Sequence, residues 1–150
     1  MKDTDKIIII GIGNSGRQDD GLGWAFVDDI TKKFPNLEVD YKYQLQIEDA
    51  ELISSYNTVF FIDATKENTI KGFSYTKCQV SEQYSFSTHA LKPETILYLC
   101  NTVYNKKPDS YILGIEGYKW ELKIGLTEKA KLNLKNAITF FNDTIQNNYL

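Results

Sequence analysis

The sequence predicts a single α/β domain over residues 1–150: a three-layer sandwich with a twisted, mainly parallel five-stranded sheet flanked by helices. Apolar runs rich in β-branched residues alternate along the chain with segments whose apolar residues recur at helical spacing. A chain of 150 residues can bury one sizeable core, and 42% hydrophobic with 25% charged residues is typical of a globular protein. No internal repeat or linker divides the sequence.

The first half of the chain predicts three strands and two helices. Residues 6–10 form a continuous apolar run, typical of a strand buried on both faces. Helical spacing of apolar residues follows over about 21–33, and residues 37–43 alternate apolar and polar as a second strand does. A short helix over 48–55 leads into another buried strand, which we expect to end at Asp63.

The second half predicts two strands and two longer helices. Residues 72–80 read as a strand with no helix before it, so we expect an antiparallel strand at the sheet edge. After the polar stretch 81–92, Pro93 stands at the first position of a helix, where proline is favoured. Residues 110–117 predict the last core strand, and Thr127 is a good N-cap for the closing helix.

Charge and cysteine usage narrow the class of protein. A net charge of −3 gives no basic surface for nucleic acid or an anionic membrane, so we expect neither partner. The charged start and the short apolar run behind it do not resemble a signal peptide, which predicts a cytoplasmic protein. Cys78 and Cys100 show no C-x-x-C spacing and are expected to be buried, unreactive thiols.

Residues 11–16 read Gly-Ile-Gly-Asn-Ser-Gly and match the G-x-G-x-x-G pattern of dinucleotide-binding turns. Asp19 and Asp20, however, stand at the start of the following helix, where bound phosphates would have to sit. Asp40 lies inside the second strand and not at its end, where a ribose-binding acid is expected. One of the two adjacent carboxylates could cap the helix, but the second invites a different explanation.

Three residues could meet at one end of the sheet. Asp20 follows the first strand, Asp63 ends the third, and His89, the only histidine, lies in the polar stretch after the next strand. If the strand order is 2-1-3, the carboxyl ends of the first and third strands share a crevice. Two carboxylates and an imidazole suit a divalent ion such as zinc or nickel and leave a coordination position open. Alternatively, the two carboxylates could divide acid and base roles.

Four stretches of the chain, in this order, resemble the [NiFe]-hydrogenase maturation endopeptidases, and the likeness runs over nearly the whole sequence. They are "IIIIGIGNSGRQDDGLG", "YQLQIEDAELISSYNTVFFIDA", "STHALKPETILYL" and "YILGIEGYKWELKIGLTEKA". They resemble, respectively, the family's opening strand with its glycine turn and acidic pair, its third strand closing in Asp-Ala, its histidine loop, and its start of the last helix. The second acidic position can be Glu in relatives and is Asp20 here.

The resemblance implies an endopeptidase that removes the C-terminal extension of a hydrogenase large subunit precursor after nickel insertion. It implies nickel ligands at Asp20, Asp63 and His89, with the nickel delivered by the precursor, and catalytic roles for Asp20 and Asp63 as in an aspartyl protease. Either a metal-bound water or a water activated by an aspartate could attack the scissile carbonyl. We expect a monomer whose partner is the precursor. The alternative is a non-catalytic metal- or nucleotide-binding module of the same fold.

Overall fold

The computed structural model describes residues 5–66, 72–80 and 91–149. In this part of the chain the strands are Ile7–Ile12 (β1), Glu38–Lys42 (β2), Thr58–Thr65 (β3), Phe73–Lys77 (β4) and Asp109–Glu116 (β5). They form one sheet in the order β2-β1-β3-β5-β4. All neighbours pair in parallel except β4, which pairs antiparallel with β5 at the edge. The predicted mainly parallel five-stranded sheet, its 2-1-3 order and its antiparallel edge are confirmed.

The described helices are Leu22–Lys33 (α1), Asp49–Ile53 (α2), Pro93–Tyr104 (α3) and Glu128–Asn148 (α4). A 3-10 turn, Gln18–Gly21, precedes α1. Pro93 starts α3 as expected from its missing N–H. The Thr127 hydroxyl accepts a hydrogen bond from the Ala130 N–H at 3.3 Å and caps α4, which confirms the predicted helix start.

Alternation along the inner strands builds a separate core on each face of the sheet. Ile7 and Ile9 of β1 point towards α1 and α4, whereas Ile8 and Ile10 point towards the other face. The first core is filled by the aromatic side chains of Phe26, Phe60 and Phe141. The second contains Phe61 together with residues of α2 and α3. These two cores make the three layers that the sequence predicts.

β3 extends further than the strand beside it. Its last pairing with β1 joins Ile62 to Gly11, but Asp63, Ala64 and Thr65 continue the pairing with β5. The strand predicted to end at Asp63 therefore runs two residues longer. This overhang of β3 leaves a notch beside the carboxyl end of β1. The start of α1 contacts both strands there, since a Cβ on Gly23 would lie 2.5 Å from the Ile12 carbonyl oxygen and 2.7 Å from that of Ile62.

Cys78 and Cys100 are buried, with 4% and 0% of their surfaces exposed. Burial raises the pKa of the Cys78 thiol to about 12 and also raises that of Cys100. Both thiols are therefore protonated near neutral pH and unsuited to nucleophilic attack, as the sequence predicted. Within the described ranges, no helix is both long enough and apolar enough to cross a bilayer.

Candidate active site

The glycine turn after β1, residues 13–16, allows close contact between backbone segments. The Gly13 N–H donates to the Lys42 carbonyl at 2.9 Å, and the Asn14 N–H donates to the Asp20 carbonyl at 3.1 Å. Gly13 has φ of +145°, and a Cβ built there would lie 2.0 Å from the Asp20 carbonyl oxygen. Only glycine fits this position, because a side chain would collide with the backbone that carries Asp20. The turn thus holds Asp20 against the end of β1.

Asp63 projects from the overhang of β3, on the sheet face of Val59 and Phe61. Burial raises the pKa of its carboxyl to about 7, although a 2.8 Å hydrogen bond from the Ala64 N–H opposes the shift. The negative charge of Asp20 raises this pKa further, so the two carboxyls lie within electrostatic reach of one another. Asp20 thus stands in the 3-10 turn that follows β1 and Asp63 on the adjacent strand β3, and their joint role as a site stays a prediction.

The pKa of the Asp20 carboxyl is set by burial and by two nearby cations, which act in opposite directions. Burial raises its pKa, while Arg17, the Asn14 N–H and Lys66 lower it, and the net result is a raised pKa. Trp120 is near both cations: its carbonyl accepts a bond from the Arg17 guanidinium at 3.5 Å, and its ring lies 5.1 Å below the Lys66 ammonium. The sequence pattern does not single out Arg17, Lys66 or Trp120 as site residues. Lys66 alone had a signal there, since it comes three residues after Asp63.

Asp19 does something different from its neighbour. It is fully buried, and its carboxylate accepts four hydrogen bonds: from the N–H groups of Tyr118, Lys119 and Thr127, and from the Thr127 hydroxyl. Burial acts to raise its pKa, but these bonds outweigh it and the pKa is lowered. The interpretation of one of the two carboxylates as a helix cap is wrong: Gly21 is the N-cap of α1, and no side chain caps that helix. Asp19 instead binds the chain that links β5 to α4.

The pair of carboxyls can perform acid–base chemistry. A carboxyl with a pKa near 7 is partly ionised at neutral pH and can accept a proton from water, while the oxygens of both residues are suitable ligands for a divalent ion. Within residues 5–66, 72–80 and 91–149, no three His, Cys, Asp or Glu side chains are grouped to hold a metal. The third predicted ligand, His89, lies outside the described residues, so the complete triad stays a prediction.

Comparison with solved structures identifies several proteins of the same fold. The hydrogenase maturating endopeptidase HybD from Escherichia coli superposes with a TM-score of 0.75 at 16% identity, covering 96% of this chain and 94% of that one. The [NiFe] hydrogenase maturation protease HycI from Thermococcus kodakarensis gives a TM-score of 0.73 at 19% identity, covering 94% and 92%.

Comparisons of the amino-acid sequence, by contrast, find no match. No protein-family model matches the chain. No curated protein matches it either. The likeness is therefore carried by the arrangement of strands and helices along nearly the whole chain, at an identity too low to transfer residue roles. The chain has the fold of the [NiFe]-hydrogenase maturation proteases.

Proposed function

We propose that this protein is an endopeptidase that removes the C-terminal extension of a [NiFe]-hydrogenase large subunit precursor after nickel insertion. The observation that carries the proposal is that Asp63 on β3 and Asp20 in the turn after the adjacent parallel strand β1 lie within electrostatic reach of one another. This is the end of an α/β sheet where ligands bind, and the solved structures of the same fold are named as maturation endopeptidases.

We assign the general base to the aspartate pair. Asp63 suits this role best, because a pKa of about 7 matches the base to neutral pH and gives proton transfer a useful driving force. In its ionised form it would take a proton from the attacking water and later return that proton to the leaving amine. Arg17 and Lys66 balance the charge of Asp20 while this exchange occurs. Cleavage of this type forms no covalent intermediate with the protein.

Nickel belongs to the substrate in this proposal. Asp20 and Asp63 would supply oxygen ligands, and His89 would supply a nitrogen, to the ion that the precursor already carries. Leu91 follows His89 by two residues in the sequence and pairs with Leu45 just beyond the carboxyl end of β2. This pairing supports the proposal that His89 is a ligand. A precursor without nickel would present no ion to these ligands, so the metal would serve as a checkpoint. We further propose that the protein acts in the cytoplasm as a monomer.

The test is cleavage of a purified precursor with and without nickel. We expect the wild-type protein to shorten the nickel-loaded precursor and to leave the nickel-free one intact. Asp20→Ala, Asp63→Asn and His89→Ala should each lower the cleavage rate at least about 100-fold, the usual contribution of a positioned acid or base. Asp40→Asn is the matched control, because Asp40 lies in β2 and pairs with Lys42 at 3.3 Å.

Cleavage of the loaded precursor at wild-type rates by both Asp20→Ala and His89→Ala would refute the proposal. The alternative of a nucleotide-binding module predicts tight binding of NAD or FAD in calorimetry. We expect none, because the 3-10 turn bearing Asp19 and Asp20 occupies the start of α1.

A further inference from the structure

The residues that follow β5 form a segment, residues 117–127, that is bound closely to the 3-10 turn. The Gln18 N–H donates to the Lys123 carbonyl at 2.8 Å, and the Lys123 N–H donates to the Gly16 carbonyl at 2.9 Å. The Gln18 side-chain oxygen accepts from the Glu121 N–H at 3.1 Å. These bonds attach the middle of the 117–127 segment to the turn.

Asp19 attaches both ends of the same segment. Its Oδ2 accepts from the N–H groups of Tyr118 at 2.7 Å and Lys119 at 3.2 Å. Its Oδ1 accepts from the Thr127 N–H at 2.8 Å, and Oδ2 also accepts from the Thr127 hydroxyl at 2.8 Å. A Cβ added to Gly117 would lie 2.6 Å from the Asp19 Cβ, so the segment packs directly on this side chain. One carboxylate thus closes the segment at its start and its end.

The contacts of Asp19 also fix its neighbour in sequence. The Asp19 N–H donates to the Lys119 carbonyl at 3.1 Å, and the Asp20 N–H donates to the Arg17 carbonyl at 3.1 Å. The backbone that carries Asp20 is therefore bonded through Asp19 to the segment after β5. The other carboxyl of the pair, Asp63, is held in β3, opposite Gly114 of β5. The backbone of Asp63 is thus held by β5, and the backbone next to Asp20 is held by the residues that follow β5.

We propose that Asp19 is a positioning residue: it fastens the 117–127 segment to the 3-10 turn and so fixes Asp20 relative to Asp63. The inference rests on the proposed endopeptidase function, to which it adds a residue that acts without touching the substrate. Reacting groups tolerate little displacement, since a shift of about 1 Å can cost about 100-fold in rate. Asp19 acts through the geometry of Asp20.

The experiment compares two disrupting variants with two controls in the full chain. Asp19→Asn turns an amide N–H towards groups that are themselves donors, and Thr127→Val removes the hydroxyl donor while Asp19 is kept. Thr127→Ser retains the hydroxyl. Ser110→Ala removes a buried hydroxyl at the opposite end of β5, where it donates to the Pro108 carbonyl at 3.1 Å. Each variant is assayed on the nickel-loaded precursor, and kcat is expressed per folded molecule.

We expect Asp19→Asn to lower kcat about 100-fold while KM changes less than about threefold, because the precursor's binding surface stays and the reacting geometry does not. Thr127→Val should lower kcat about tenfold, and Thr127→Ser should restore it. Ser110→Ala should keep the wild-type kcat. Wild-type kcat in both folded Asp19→Asn and Thr127→Val would overturn the inference, and if Asp19→Asn does not fold, the Thr127 pair decides it.

A second measurement separates this inference from the proposed function. If the wild-type protein does not cleave the precursor, the proposed function is refuted. The inference about Asp19 is then tested by NMR, which compares the carboxyl carbon signals of Asp20 and Asp63 between the metal-free wild type and the variants. A shifted Asp20 signal in Asp19→Asn or Thr127→Val, with an unchanged signal in Ser110→Ala, supports the positioning role. An Asp20 signal identical to that of the wild type in both disrupting variants overturns it.

Discussion

Asp63 illustrates how burial changes the pKa of a single side chain. A carboxyl of ordinary pKa 3.8 is moved to about 7, first by loss of hydration and then by the neighbouring charge of Asp20. The folded protein therefore retains a proton on Asp63 at pH values where the unfolded chain has lost it. The carboxyl that we propose as the general base is consequently a group that lowers the stability of the fold when it ionises.

We predict that Asp63→Asn stabilises the metal-free protein at pH 8. Between pH 3.8 and about 7 the folded state holds the proton and the unfolded state does not, so the contribution of Asp63 to stability falls as the pH rises. Asparagine has no charge to desolvate, and the free energy of unfolding should rise by about 2–4 kcal/mol at pH 8. Urea denaturation at pH 4 and pH 8 measures the effect.

The pH dependence of the stability gain shows whether the buried charge of Asp63 causes it. At pH 4 the carboxyl of folded Asp63 is protonated, so the variant and the wild type should differ by less than about 1 kcal/mol. Asp40→Asn, which breaks a surface pair with Lys42, should change stability by less than about 1 kcal/mol at both pH values. An equal gain in stability for Asp63→Asn at pH 4 and pH 8 would contradict a role for buried charge.

The sequence predicts the carboxyl pair but not its surroundings. Asp20 and Asp63 are recognisable because each stands near the end of an apolar strand, and parallel strands bring such ends together. Asp19, Arg17 and Lys66 are different, since their partners lie in the 117–127 segment, about a hundred positions away for Asp19. No local pattern encodes a hydrogen bond over that separation, which is why the sequence pattern suggests helix capping for one of the two carboxylates, and the structure shows none.

At the scale of elements, the connection from β1 to α1 is determined by backbone packing. Gly13 places its Cα against the Asp20 carbonyl, and Gly11 and Gly23 bring β1 and α1 together, since a Cβ on Gly11 would lie 2.7 Å from the Gly23 carbonyl oxygen. The third glycine of the motif, Gly16, has no such contact: a Cβ there would meet the Asn14 side-chain oxygen at 3.2 Å. The motif resembles a phosphate-binding pattern, although its first two glycines serve strand-to-helix packing.

We predict that Gly13→Ala and Gly16→Ala differ sharply. Gly13→Ala must shift the backbone of Asp20 and adopt a positive φ, and we expect a loss of more than about 2 kcal/mol in the free energy of unfolding. Gly16→Ala only displaces a flexible side chain and should cost less than about 1 kcal/mol. Chemical denaturation of both variants gives the comparison, and equal losses would show that the packing argument is wrong.

Element boundaries show where local sequence information ends. Helices α1, α3 and α4 follow from long apolar periodicities and from Pro93 and Thr127 at their starts. The 3-10 turn was not predicted, because bonds from the 117–127 segment stabilise it and Gln18 adopts a positive φ of 49°. The overhang of β3 was likewise missed, since the last three residues of the strand are held by pairing with β5.

For the whole molecule, one aromatic cluster joins the helical layer to the sheet. Phe141 of α4 packs edge-on against Phe26 of α1 at 5.2 Å and against Phe60 of β3 at 4.9 Å. Its neighbour Phe140 packs instead against Phe73 and Tyr75 of the edge strand β4. Adjacent residues of one helix thus contact the centre and the margin of the fold.

We predict that Phe141→Ala lowers the free energy of unfolding by about 3–5 kcal/mol, because it leaves a cavity where α1, α4 and the sheet meet. Phe140→Ala, the matched control, should cost about 1–2 kcal/mol, since Phe140 is half-buried at the sheet edge. Denaturant titration gives both values. A smaller loss for Phe141→Ala than for Phe140→Ala would contradict the assigned core.

The notch beside the β3 overhang has a consequence for changes in chain length. The connection through residues 13–20 lies beside that notch, and its backbone is bonded to Lys42 of β2, to itself and to Lys119 and Lys123. An added or deleted residue would break these bonds and displace Asp20. The turn at residues 34–37, which joins α1 to β2, lies at the amino ends of the parallel strands, opposite the end near Asp20 and Asp63. Insertions should therefore be accommodated there, while the connection after β1 should keep its length wherever the site works.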